Sequence, residues 1–105
     1  QALTLMNDAV FLEGAQALGR WAMDQEDGEV VVAKTLFQRC LVRPPDVGEE
    51  KLMTNFYRSQ LARFDSGELK AAAGAGKGEG DTNQRAAWTA LARVLLNTDE
   101  FITRN

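Results

Sequence analysis

Apolar residues recur at three- and four-residue spacing in four separate stretches of this chain, and each stretch gives way to a polar, proline-containing or glycine-rich break. Side chains return to the same face of an α-helix at that period, so the pattern commits the chain to helices packed through apolar stripes. Phe11, Ala15, Leu18 and Ala22 form the first stripe, widened by Leu12 and Trp21, behind the capping residues Asn7 and Asp8. The spacing predicts a helix over 8–24, with a short helical turn over 2–6 ahead of it. The run Asp24-Gln25-Glu26-Asp27-Gly28 closes it as a polar turn.

The second stripe, Val30, Ala33, Leu36, Phe37, Cys40 and Leu41, predicts a helix over 29–42. Val30-Val31-Val32 alone would suit a strand, but the helical spacing continues to Leu41 and outweighs it. Arg43-Pro44-Pro45 stops this helix, because proline disfavours helical geometry in the residue before it. Asp46 is a cap for a third helix over 46–65, whose inward face carries Leu52, Met53, Phe56, Tyr57, Leu61 and Phe64. Residues 66–82 are the one low-complexity stretch, with glycine at every second position from 74 to 80. Backbone entropy disfavours regular structure there, so the reading is a flexible Gly/Ala-rich surface loop of little consequence for the fold. The last helix begins near Asp81-Thr82-Asn83 and runs to Leu96, and from Ala86 to Leu96 only Thr89 and Arg93 are polar. A helix apolar nearly all round is one surrounded by others, so this is the predicted centre of the bundle. Phe101 and Ile102 form a short apolar turn that folds back onto it.

One all-α domain over 1–105 follows: a compact bundle of four main helices with short helical turns at both ends. Two prolines in 105 residues agree with long helices, and 45% apolar with 26% charged residues describes an ordinary globular chain. No stretch approaches ~18 apolar residues, so no membrane insertion is expected. Twelve basic against fifteen acidic residues give a net charge of -3, which does not drive phosphate binding. A helix-turn-helix around Arg43-Pro44-Pro45 would carry Lys51, Arg58 and Arg63 into DNA, but Glu49, Glu50 and Asp65 share that helix, so no nucleic-acid partner is expected.

The chain contains no histidine and a single cysteine, Cys40. That composition removes the usual proton shuttle, the commonest metal ligand, Ser-His and Cys-His nucleophiles and a C-x-x-C-H haem attachment. Gly76-Lys77 ahead of a helix superficially suggests a phosphate loop, yet Ala71 stands where the first glycine belongs and Gly78 where Ser or Thr is needed. With Gly28 at the sixth position of a calcium loop, Met23 would be first and Lys34 twelfth, and neither is a carboxylate. Glu49 and Glu50 in a first helical turn complement the helix dipole. No catalytic, cofactor-binding or metal-ligating residue is therefore assigned. Arg43, at a helix end beside two prolines, is an interaction candidate, with pairing to terminal carbonyls or a carboxylate as the structural reading. Arg93, if buried, would need Asp99 or Glu100, and an exposed edge is the other reading. Trp21 and Trp88 would stack on a sugar if exposed, but they stand at apolar positions where core packing is favoured. Cys40 reads as a buried, inert thiol.

Three segments carry a resemblance. They are Gln1-Ala2-Leu3-Thr4-Leu5-Met6-Asn7-Asp8-Ala9-Val10-Phe11, then Leu41-Val42-Arg43-Pro44-Pro45 with Glu49 or Glu50 beyond, and Ala87-Trp88-Thr89-Ala90-Leu91-Ala92-Arg93-Val94-Leu95-Leu96-Asn97-Thr98-Asp99-Glu100-Phe101. Together they resemble the carboxy-terminal end of large planctomycete proteins that combine a cytochrome-c-like domain with several domains of unknown function. The resemblance spans the chain apart from the glycine tract. It implies a helical domain of an exported, periplasmic multidomain protein and no established activity. Any haem would belong to another domain, so no cofactor is expected in this one. The apolar opening run and the missing initiator methionine read as a piece cut from something longer. The expected role is a non-catalytic helical module docked on other domains of the parent chain, with Leu3, Leu5 and Met6 at the interface. The alternative is an accessory part of an enzymatic or carbohydrate-binding site completed by other domains, with Arg43 contributed from here.

Overall fold

The computed structural model describes residues 8–98. Within them the chain is all-α, with no strand among the described residues. The elements are α1 (Asp8–Met23), α2 (Glu29–Leu41), α3 (Val47–Asp65), a short α4 (Ala71–Ala75) and α5 (Thr82–Leu96). The four long helices agree with the sequence spacing to within two residues at each boundary. The turns expected over 2–6 and 101–102 lie outside the described residues.

Local chemistry sets the boundaries. Asp46 caps α3 reciprocally: its carboxylate accepts from the Glu49 N–H at 2.8 Å, and the Glu49 carboxylate accepts from the Asp46 N–H at 2.9 Å. Two N–H groups at the helix start are thereby satisfied. Asp81 does the same one-sidedly for α5, accepting from the Gln84 N–H at 2.9 Å. At the end of α2 the chain must turn before Pro44. It does so at Val42, which takes the left-handed conformation (φ 61°) while its N–H donates to the Gln38 carbonyl at 2.8 Å. A β-branched residue rarely adopts that geometry, so the turn is held by what surrounds it rather than by preference.

Helix α5 is the centre of the bundle, in contact with α1, α2, α3 and α4. Ala87, Trp88, Leu91, Ala92 and Leu95 are buried along it, against Leu36 and Phe37 of α2 and Met53 and Tyr57 of α3. The Tyr57 and Trp88 rings stack with centroids 3.8 Å apart and planes 21° from parallel. Burying each large apolar side chain stabilises the fold by about 1.5–3 kcal/mol against leaving it in water. Helices α1 and α5 run antiparallel, with Gly14 near Leu96, Gly19 against Thr89 and Met23 near Gly80. Small residues let them approach. A Cβ on Gly19 would lie 2.3 Å from Thr89 Oγ1 and 3.2 Å from the Arg85 carbonyl oxygen, so no side chain fits there.

Three apolar residues that the stripes assign to the core are exposed. Val30 is at 43% and Leu52 at 71% exposure, while Val94, on the helix expected to be covered all round, is at 47%. The buried stripe of α2 is Val32, Ala33, Leu36, Phe37, Cys40 and Leu41, which leaves Val30 at its edge. On α3 the buried set is Met53, Thr54 and Tyr57, and Leu52 falls one residue off it, about 100° around the helix. Helix α5 keeps one open side at Arg93, Val94 and Asn97.

The largest departure concerns residues 66–82. Where the glycine pattern predicts an irregular surface loop, the structure has α4, and Ala75 is fully buried. The glycines that follow mark close approaches. A Cβ on Gly76 (φ 68°) would come within 2.8 Å of Gln16, one on Gly78 within 2.8 Å of Arg85 Cδ and Nε, and one on Gly80 (φ 83°) within 2.8 Å of Met23 Cε. The alternation thus builds a strap lying on α1 and α5.

Candidate functional site

Arg43 sits at a corner between α2 and α3, half-buried. Its Nη1 and Nη2 donate to Glu49 Oε1 and Oε2 at 3.0 and 2.9 Å, a two-pronged pairing of guanidinium and carboxylate. Nη1 also donates to the Pro44 carbonyl at 3.2 Å, and the guanidinium carbon lies 4.9 Å from the Phe37 ring centroid. Glu49 is the residue that closes the α3 capping box, so one carboxylate ties the end of α2 to the start of α3. The bonds from Arg43 and from the Asp46 N–H hold its carboxyl down at about 2. The fork of Arg43 is committed to this staple.

The buried arginine of the bundle is Arg85, at 4% exposure; Arg93 is exposed. Arg85 Nη2 donates to the Gly76 carbonyl at 2.9 Å and Nη1 to the Glu79 carbonyl at 3.1 Å, while its buried Nε has no partner among the described residues. From α1, Gln16 Nε2 donates to the Gly74 carbonyl at 3.1 Å and Arg20 Nη1 reaches the Lys77 carbonyl at 3.5 Å. Strap carbonyls therefore receive donors from both helices, and carbonyl dipoles meet the buried charge of Arg85. The sequence signal was present as glycine at every second position immediately before an arginine-bearing helix. It reads as flexibility unless a partner is known to press against it.

At the end of the α1–α5 pair where α1 begins and α5 ends, a groove of about 340 Å³ is lined by Phe11, Arg93, Val94 and Asn97. Arg93 and Val94 also border a second hollow of about 280 Å³, walled by Phe64, Gly74, Ala86 and Ala90. Val10, one residue before Phe11, is 48% exposed, so apolar surface flanks an exposed cation here. Leu3, Leu5 and Met6, the sequence candidates for an interface, precede this point in the chain and lie outside the described residues, as do Asp99 and Glu100. The structure does not bring Arg43 to this face, since it pairs at the α2–α3 corner instead.

The remaining candidates have structural surroundings. Trp88 is buried at 4% exposure beneath Tyr57, and half-buried Trp21 has the Arg39 guanidinium 4.8 Å from its ring centroid. Cys40 is buried, and desolvation pushes its thiol up to about 11, which keeps it protonated and unreactive at neutral pH. Among the described residues no three carboxylate, cysteine or histidine side chains are grouped to hold a metal ion, and no helix is long and apolar enough to cross a membrane. Comparison with known proteins gives no match: no family model, no curated protein and no solved structure is significantly similar to this chain.

Proposed function

We propose that this chain is a non-catalytic helical module that docks on the remainder of a larger parent protein. Its contact face is the one bounded by Phe11, Arg93, Val94 and Asn97, joined by Leu3, Leu5 and Met6, which precede Phe11 in the sequence. One observation supports the reading above the rest: in the C-terminal half of α5, where Leu91, Ala92, Leu95 and Leu96 are buried, Val94 stands 47% exposed beside a groove. Water-exposed apolar surface around a hollow is what a packed partner removes. The resemblance drawn from the sequence supplies the parent, an exported multidomain protein whose other domains would hold any haem.

The accessory-site alternative needs a free arginine fork or an open indole face. Arg43 spends its fork on Glu49, and Trp88 lies beneath Tyr57. The docking reading is tested by calorimetric titration of this domain into its parent protein lacking it. Saturable binding at micromolar Kd or tighter is expected, about −8 kcal/mol. Val94→Asp, at an exposed position where the fold tolerates a charge, should weaken binding at least tenfold. Deletion of residues 1–6 should weaken it further, and unchanged affinity on deletion removes Leu3, Leu5 and Met6 from the interface. A flat titration with both pieces folded overturns the proposal.

A further inference from the structure

The two hollows that meet at Arg93 and Val94 follow one line of α5. Ala86, Ala90, the Arg93–Val94 pair and Asn97 recur at three- and four-residue spacing, so they share a helix face about 16 Å long. The hollow of about 280 Å³ is closed by Phe64 of α3 and Gly74 of α4, and the groove of about 340 Å³ by Phe11 of α1. Together they make a trough about three helical turns long. Their α5 residues are offset from one another by about one turn. Gly74, Ala86 and Ala90 are small, which leaves depth for a large side chain between half-buried Phe64 and α5.

The chemistry of the wall is one-sided. Among the described residues that line either hollow, Arg93 is the sole charge, and no carboxylate accompanies it. Arg93 is exposed and makes no ion pair among the described residues. The Thr89 hydroxyl is already spent, donating to the Arg85 carbonyl at 2.8 Å. Arg93 and Asn97 are thus the polar side chains left to meet a partner.

We infer that this trough seats a single amphipathic helix of the partner, acidic on its flank. It would carry two large apolar side chains about one turn apart, one for each hollow, and a carboxylate beside them for Arg93. An extended segment would lay backbone N–H and C=O groups against an apolar wall with few groups to pair them, whereas a helix satisfies its own. A basic helix would meet Arg93 with like charge and find no acid on the wall. The inference rests on the docking reading and specifies what the parent protein must present to this face.

The test is an amide-resolved NMR titration at low salt with two synthetic helical peptides of about 14 residues. Both carry leucine at i, i+4 and i+7; one is flanked by glutamates and the other by lysines. The acidic peptide should give saturable shifts at Ala90, Arg93, Val94 and Asn97, with Kd on the order of 0.1 mM, and the basic one should bind about tenfold more weakly. Arg93→Glu, at an exposed position, should invert that preference, and Ala90→Leu should weaken the acidic peptide about tenfold by filling the hollow. Absence of saturable shifts, equal binding of the two peptides, or an unchanged preference in folded Arg93→Glu would overturn the inference. So would a concentration-dependent dimer abolished by Val94→Asp, which assigns the trough to a second copy, or tighter peptide binding after removal of residues 99–105, which assigns it to the chain itself. Titration of the parent protein lacking this domain separates the two readings. Binding there that Arg93→Glu leaves intact keeps the docking and removes the acidic helix; a flat parent titration beside a charge-selective peptide removes the parent and keeps the trough's preference.

Discussion

The bundle uses two arginines to hold two corners, and it does so by opposite means. Arg43, half-exposed, meets a carboxylate six residues away through two short charged hydrogen bonds. Arg85, buried, has only backbone carbonyls for its charge and leaves one N–H unmatched. Removing a surface ion pair returns both partners to water, so such pairs contribute little. Removing Arg85 strands the Gly76 and Glu79 carbonyls and empties the space that the strap wraps, and those costs add. The difference teaches that the corner with the better-looking electrostatics should carry the smaller share of stability.

The largest effect should come from Arg85→Ala. A loss of about 3 kcal/mol is expected from the vacated space and the two orphaned carbonyls, read as a fall in the urea midpoint at unchanged slope. A cost below about 1 kcal/mol would break the comparison, placing Arg85 with ordinary surface arginines. The same variant should admit trypsin more readily after Lys77, because the strap would lose its tether to α5 while the weaker contact from Arg20 remains.

Gly78→Ala sharpens the point. A Cβ there would collide at 2.8 Å with Arg85 Cδ and Nε, atoms pinned by the two carbonyl bonds. The substitution should cost about 2 kcal/mol in the natural sequence and little in the Arg85→Ala background, where the obstacle is gone. Full additivity of the two would mean that the glycine serves backbone conformation alone. At the opposite corner, Asp46→Ala should cost about 1 kcal/mol as the loss of an N-cap, measured by the same urea unfolding. Arg43→Ala should cost about 0.5 kcal/mol, since 37% of its side chain faces water.

The two corners also differ in how far the sequence discloses them. The α3 cap and the Arg43–Glu49 pair lie within one short run of chain, where proline, Asp46 and Glu49 each carry a local rule. The helices were equally legible, because a stripe at helical period is a local property that burial only has to confirm. Arg85 was missed because its environment comes from residues that look featureless in sequence: glycine alternation reads as freedom until Gln16, Met23 and Arg85 are found pressed against it. Val94 was misjudged for a related reason. Apolar character shows what a helix tolerates, while coverage depends on neighbours, and near Arg93 and Asn97 one side of α5 stays open.

The smallest expected effect separates charge from capping at the Arg43 corner through pH. Glu49 has its ordinary value near 4.5 in the unfolded chain and about 2 in the folded one, first through the Arg43 bonds and then through the Asp46 N–H. A depressed carboxyl stabilises the fold fully above its unfolded value, and that contribution disappears as pH falls from about 4.5 toward 2. Glu49→Gln keeps a side-chain oxygen for the capping bond but does not titrate. The difference in melting temperature between the natural protein and Glu49→Gln should therefore be constant above pH 5 and shrink on acidification, with other carboxylates cancelling in the subtraction. Solvent around Glu49 screens the pair, so the difference should also shrink on adding salt at pH 7. A gap that survives both acid and salt would mean that Glu49 acts as a neutral hydrogen-bonding cap, and that the Arg43 fork is geometry with little charge behind it.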